Sequence, residues 1–325
     1  MLQVDSIFFK HSDDFEIQDV SFELKQAKVL GLIGESGCGK STLLDLIHGE
    51  YDLQKGSITW NNQPIKGPSH QLISGHEDFK YVTQESDLMP YISVVDNIIK
   101  PLSRQHLDEN IKKAEELLEV VEMSPFRDQM VKDLSGGQRQ RVAIAKALAK
   151  TPKLLLLDEP FSHIDNFLKH SIRRKLFKYL KKVDCSCIIA THDSNDILPY
   201  ADEILVLKHG KRIAKDSPLN LYKCSNNKYT SGLLSLCNTM DAKLIDKSLE
   251  GNIIVYPHEL ELVESSTGEL KIEDIYFHGH QYRVYFTWKG MELVCDTTER
   301  IAYDVNYTLK IHRDTVLKRL KLNNC

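Results

Sequence analysis

Residues 34–42 read GESGCGKST, matching the spacing G-x-x-x-x-G-K-[ST]. The residue types describe a device for holding polyphosphate. Gly34, Glu35, Ser36, Gly37, Cys38 and Gly39 supply a backbone that can wrap an anion closely, and Lys40 brings a cation to the β- and γ-phosphates. Ser41 and Thr42 open a helix whose free amides and dipole attract negative charge, and the Ser41 hydroxyl suits Mg²⁺. Cys38 sits at this helix start, where a thiol can become reactive. A small side chain filling a turn is the simpler reading.

Two further clusters lie downstream. Leu154–Leu157 are four consecutive leucines followed by Asp158, Glu159 and Pro160. A strand buried on both faces would deliver the two acids at its C-terminal end, where open α/β sheets place ligands. Successive strand side chains point to opposite faces, so the acids divide the work: Asp158 holds Mg²⁺ through water and Glu159 polarises the attacking water. Ser135, Gly136 and Gly137 precede QRQRVAIAKALAK, a second helix start that can bind an anion. The loop at 34–42 already surrounds phosphate from one side, which leaves the second start free to close on nucleotide held by another copy. Head-to-tail pairing of two chains is therefore expected.

The elements that must position these groups are legible in outline. Short apolar runs alternate with helical patterns through residues 1–217, the form of an α/β domain. The clearest strands are Val29–Ile33, Leu154–Leu157, Cys187–Ala190 and Ile204–Leu207. From about 88 to 150 the pattern is helical, with Ile111, Leu117, Leu118 and Val121 set among Lys and Glu, an inserted helical subdomain. Residues 218–240 read as a polar, turn-rich linker, and 241–325 as a small all-β domain. Within it, Tyr282–Trp288 and Met291–Cys295 flank a Lys-Gly turn and predict a hairpin.

The chain has 325 residues, 42% apolar and 27% charged, enough for two packed domains. Its net charge of −4 gives no footprint for general nucleic-acid binding, so no nucleic-acid partner is expected. The basic residues Arg139, Arg141, Lys146 and Lys150, and Arg173, Arg174, Lys175, Lys178, Lys181 and Lys182, read as solvated helix faces. Seven cysteines without paired metal spacing fit a reducing cytoplasm. No apolar run nears the ~20 residues that span a bilayer, and the N-terminus lacks a signal-peptide pattern. A transport role would need a separate pore.

Taken in order, GESGCGKST, Gln84 in YVTQESDLMPYISVVDNI, LSGGQRQR (Leu134–Arg141), LLLLDEP and CIIATHD ending in His192-Asp193 resemble the ATP-binding subunits of ABC (ATP-binding cassette) transporters. The resemblance implies a P-loop ATPase core and Mg-ATP as its ligand. It makes Lys40, Glu159, His192 and Gln84 catalytic, with His192 contacting the γ-phosphate and Gln84 sensing Mg²⁺ and the water. It puts Mg²⁺ on Ser41, Gln84 and Asp158. It also implies that Ser135, Gly136, Gly137 and Gln138 cap the ATP of the other copy, with Asp165 at the seam and an aromatic near His11, beside Phe8 and Phe9, against adenine. The loop usually reading S-A-L-D is here Ser162-His163-Ile164-Asp165.

Leu88, Met89, Tyr91 and Ile92 are expected to line a groove for a membrane subunit. PHELELV resembles the R-P-E segment of importer ATPases, with Tyr256 where Arg is usual. TGELKIEDIYFHGHQYRVYFTWKGMELVCD looks like the oligosaccharide-binding-type, TOBE-like β fold appended to importer ATPases for polyamines, ferric iron, sulfate and maltose. The implied assembly is a homodimer, peripheral on the cytoplasmic face of the cell membrane, with integral-membrane permease subunits and a substrate-binding protein that contacts them. Soluble ABC ATPases of translation, repair or regulation, the alternative, usually carry two cassettes, coiled-coil insertions or zinc modules. None is visible in this sequence.

Overall fold

The computed structural model describes residues 1–12, 15–71, 74–83, 87–225 and 227–321, in two compact units, Met1–Pro218 and Leu219–Cys325. The first begins with β1 (Leu2–Ser12), β2 (Phe15–Leu24) and β3 (Val29–Ile33). Then come α1 (Lys40–His48), β4 (Lys55–Trp60), β5 (Gln63–Pro64) and β6 (Phe79–Val82). The helical part holds α2 (Val94–Ile99), α3 (Leu107–Val120) and α4 (Gly136–Leu148). β7 (Leu154–Asp158), α5 (Asn166–Lys182), β8 (Ser186–Thr191), β9 (Glu203–Lys208) and β10 (Lys211–Asp216) complete it.

Six strands form one sheet in the order β10-β9-β3-β8-β7-β6, parallel except for β10 at the edge. Every residue of β7 and β8 is buried, which is why the sequence there reads as unbroken apolar runs instead of alternation. The order has a direct consequence for the site. β3, β8 and β7 are neighbours, so the loop after β3, the acids at the end of β7 and the histidine after β8 all emerge from the same edge. Register reinforces this, with Ile33 opposite Thr191 and Asp158 opposite Ala190.

A second, antiparallel sheet, β2-β1-β4-β5, packs over α1. One core joins Leu2, Ile17 and Trp60 of that sheet, Leu43 and Leu46 of α1, and Leu156 and Ile188 of the parallel strands. Burying Leu43, Leu44, Leu46 and Ile47 seats α1 firmly beneath the phosphate loop.

In the second unit, the segment 218–240 departs from the expected linker. It carries α6 (Pro218–Cys224) and α7 (Lys228–Leu234), then enters β11 (Asn238–Asp241). The physical reason is visible at Asn227. Its side chain accepts hydrogen bonds from the amides of Tyr229 and Thr230, so a residue read as a turn former is a helix N-cap. β12 (Asn252–Val255), β13 (Leu260–Glu264), β14 (Lys271–Phe277), β15 (Tyr282–Trp288), β16 (Met291–Thr297) and β17 (Tyr307–Ile311) follow, with α8 (Arg313–Lys321) last. The strands pair as β11-β12, β13-β17 and β14-β15-β16.

The expected hairpin forms. Trp288 pairs with Met291 across Lys289 and Gly290, whose φ of 49° and 78° describe the left-handed turn that matches strand twist. Tyr256, where the resemblance expects Arg, is fully buried, stacks on Tyr222 at 4.2 Å and donates its hydroxyl to the Tyr222 carbonyl.

Candidate nucleotide site

The phosphate loop begins where β3 ends. Gly39 ends it at φ 107°, a left-handed N-cap for α1 that only glycine adopts without strain. A Cβ there would lie 2.6 Å from the Phe15 ring, so the loop also needs glycine to pass beneath that aromatic. Lys40 is buried and its ammonium donates to the carbonyls of Gly34 (2.8 Å) and Glu35 (3.2 Å), which curls the loop around the cation. A cavity of about 430 Å³ opens above it, lined by Phe15, Ser36, Gly37, Gly39, Lys40, Ser41, Thr42, Asp158 and Glu159.

Asp158 is buried, and burial raises its carboxyl above the ordinary value although the Ser41 hydroxyl hydrogen-bonds it. Its Oδ1 is buried with no hydrogen-bond partner. A buried, unsatisfied carboxylate oxygen beside a hydroxyl is the donor set of a hard divalent cation, so these residues fit Mg²⁺. Glu159 stands just past the end of β7 with a left-handed φ of 48°, and its Oε2 lies 2.8 Å from His192 Nδ1. The structure thus brings together Lys40, Ser41, Asp158, Glu159 and His192. Gln84 and the side chain of His11 lie outside the described residues.

The backbone of Glu159 is unusual, with φ at 48°. Its N–H donates to Ala190 O (2.9 Å), and its carbonyl accepts from Gln140 Nε2 (2.9 Å) and Ser162 Oγ (3.0 Å). The segment bearing His192 is tied separately. Arg173 of α5 donates to Asp193 (2.8 Å), pairs with Asp196, and lies over the Phe161 ring. Asp196 in turn accepts from the Thr191 hydroxyl.

Ser135 and Gln138 hold each other in a capping box at the start of α4: Ser135 Oγ accepts from Gln138 N and Gln138 Oε1 accepts from Ser135 N. A Cβ on Gly136 would meet nothing within 4 Å, whereas one on Gly137 would lie 2.2 Å from the His163 carbonyl. The helix start therefore packs on the 162–165 loop on one side and is open on the other. Asp165 stands at the N-cap of α5 with no side-chain cap bond, and the His163 ring lies 3.2 Å from Ser162 Oγ.

Cys38 is buried in the core against Gly34 and burial pushes its thiol pKa up, in keeping with a small side chain that fills the turn. Arg141 and Arg173 are buried, not on solvated faces. Arg141 donates to the Val121 and Glu122 carbonyls at the end of α3, where a cation offsets the helix dipole. Among the described residues the cavity is lined by one aromatic, Phe15, while Phe9 is buried against Tyr51 and Phe8 lies near Lys55. A larger cavity, about 910 Å³ between α3 and α5, offers no phosphate-binding backbone; chemistry rather than volume locates the site.

A phosphate loop after one parallel strand, paired acids after a second and a histidine after a third define an α/β P-loop ATPase. Residues 17–162 match the family model described as ABC transporter. The chain is 33% identical over 270 residues to the Fe(3+) ions import ATP-binding protein FbpC 2 of Haemophilus influenzae, spanning 77% of this chain and 76% of that protein. It is 33% identical over 254 residues to the spermidine/putrescine import ATP-binding protein PotA of Chromobacterium violaceum, spanning 78% and 69%. Among solved structures, cbiO1 of Clostridium perfringens, part of the ABC transporter complex cbiONQ, superposes with a TM-score of 0.59 at 28% identity, covering 68% of this chain and 90% of that one. The dimeric ATP-binding cassette MJ0796 in a post-hydrolysis state with ADP and Pi gives 0.56 at 25% identity, covering 67% and 99%. The chain belongs to the ABC transporter family: it is an ATPase, the ATP-binding subunit of an importer.

Proposed function

We propose that this ATPase works as a homodimer with two ATP sites, each completed by the other copy, and that dimer closure drives a separate membrane permease. The observation that carries this is a division within one chain. The cavity above the phosphate loop is lined from β2, the loop, α1 and the end of β7, and Ser135–Gln138 are not among its lining residues. The start of α4 nevertheless keeps an open glycine, Gly136, suited to close approach of an anion from outside the chain. The dimeric structure of the MJ0796 cassette with ADP and Pi supports the dimer itself.

In this reading Lys40 and the loop amides hold the β- and γ-phosphates and Phe15 stacks on the adenine. Ser41 and Asp158 hold Mg²⁺, which supplies charge neutralisation on the phosphates. Glu159 accepts the proton of the attacking water. His192, 2.8 Å from that carboxylate, fixes its direction and bonds the transferring phosphoryl group. Gln84 and Asp165 complete the site from the same and the opposite copy.

Ser135→Arg fills the open helix start with a long side chain. It is expected to abolish ATP-dependent dimerisation and to cut hydrolysis by about 10³-fold, as loss of other groups supplied in trans does, while each chain still binds ATP. Light scattering with and without ATP reads the first; persistent dimerisation in ATP would overturn the trans arrangement.

The permease contact is placed at the segment after β6. Met89 and Tyr91 are 42% and 75% exposed, and Leu88 and Ile92 are half-buried beside them, an apolar rim of the kind that receives a helix. Tyr91→Ala should leave the ATPase of the isolated protein within about twofold of the parent, since an exposed side chain contributes little to folding, and should uncouple ATP use from transport in the reconstituted importer. Retained coupling would remove Tyr91 from that surface. No described helix is long and apolar enough to cross a membrane. The location proposed is peripheral, on the cytoplasmic face, with a substrate-binding protein serving the permease and a TOBE-like second unit. The transported class proposed is that of the relatives, ferric iron or a polyamine.

A further inference from the structure

Gln140 lies one turn beyond Gly136 on α4 and is only 3% exposed. Its Nε2 donates to the Glu159 carbonyl at 2.9 Å, while its Oε1 is buried without a partner. Burying an amide for one hydrogen bond is costly, so that bond has to matter to the arrangement it holds. Its acceptor belongs to a residue whose φ of 48° is unfavourable for any side chain bearing a Cβ and persists only where the surroundings impose it. The other donors to that carbonyl, the amide and hydroxyl of Ser162, come from the turn just after Glu159. Among the described residues, Gln140 is the donor that comes from a different element.

We propose that Gln140 is a positioning residue that fastens the signature helix of each chain to the hydrolytic carboxylate of its own site. The inference rests on the trans arrangement proposed above. The Ser135–Gly137 start of α4 then senses the neighbour's ATP, and Gln140, on the same helix, sets the backbone that aims Glu159 at the chain's own ATP. Closure on one nucleotide thereby orients the base at the other. Gln140 is the side chain that carries this coupling to the Glu159 backbone.

The test is Gln140→Met in the full chain. Methionine has similar length, keeps the cavity filled and removes the orphaned Oε1, so folding is preserved and the melting temperature serves as the control. The expected result is a kcat reduced about tenfold or more, as small misplacements of a base produce, with KM for ATP unchanged and weaker cooperativity in ATP. Gln140→Met combined with Glu159→Gln should still dimerise in ATP. A parental kcat and Hill coefficient at unchanged melting temperature would overturn the role of Gln140. If Glu159→Gln alone fails to dimerise in ATP, the trans arrangement fails instead, whatever residue stands at 140.

Discussion

Glu159→Gln is expected to lower ATP turnover by at least about 10²-fold while ATP binding persists, the cost of removing a positioned general base. The substitution leaves the backbone frame untouched. The bonds from Gln140 and Ser162 end on the Glu159 carbonyl, and its N–H bonds Ala190, so none uses the side chain that changes. What disappears is the carboxylate 2.8 Å from His192 and the proton acceptor it provides. ATP should then accumulate between two closed copies, and the ATP-bound dimer should become stable on size-exclusion chromatography. Hydrolysis within tenfold of the parent would remove Glu159 from the base role.

Asp158→Asn, one residue away, should act in the opposite sense on the empty protein. Burial raises the Asp158 carboxyl, so the folded chain holds that proton more tightly than the unfolded chain, whose value is near 3.8. Stability from this group is therefore present at low pH and is lost as pH rises through the raised value. At neutral pH the parent carries a buried charge that Ser41 and Lys40 offset only in part, and the asparagine variant does not. The variant should be more stable by about 1 kcal/mol, or about 2–4 °C in Tm for a unit of this size. The gap should close as pH falls below the raised value. With Mg-ATP, hydrolysis should fall by at least about 10²-fold if Asp158 holds the cation as proposed. A variant less stable than the parent at pH 7 would show that Asp158 is satisfied in the empty site.

The stability and activity effects thus separate two adjacent carboxylates that the sequence presents as a pair. Asp158 is held by burial beside Ser41, which suits the charge role proposed for it, whereas Glu159 is held by its backbone, which suits the proposed proton transfer.

Much of this was legible in the residues alone. The loop at 34–42, the acids after Leu157 and the helix start at Ser135 depend on short-range physics: glycine's access to positive φ, free amides at helix starts and alternation along a strand. Each works within a few residues, so a linear reading finds it. Strand positions were legible for the same reason, since β7 and β8 are buried on both faces and their middles are unbroken apolar runs, with polar residues only at the ends. Asn227 escaped because a turn former and a helix N-cap are the same residue types.

The partners across the fold were not legible. Gln140 reaches Glu159 across 19 residues, and Arg173 reaches Asp193 across 20. Nothing in the spacing separates Gln140 and Arg173 from solvated neighbours such as Arg139 and Arg174 on the same helices. Phe15 meets Gly39 only because the antiparallel sheet folds over α1. The sequence by itself determined the local chemistry of phosphate, cation and base, because backbone geometry and dipoles are set by adjacent residues. Tertiary structure alone decided which polar side chains are buried and what each one holds, because burial depends on elements distant along the chain.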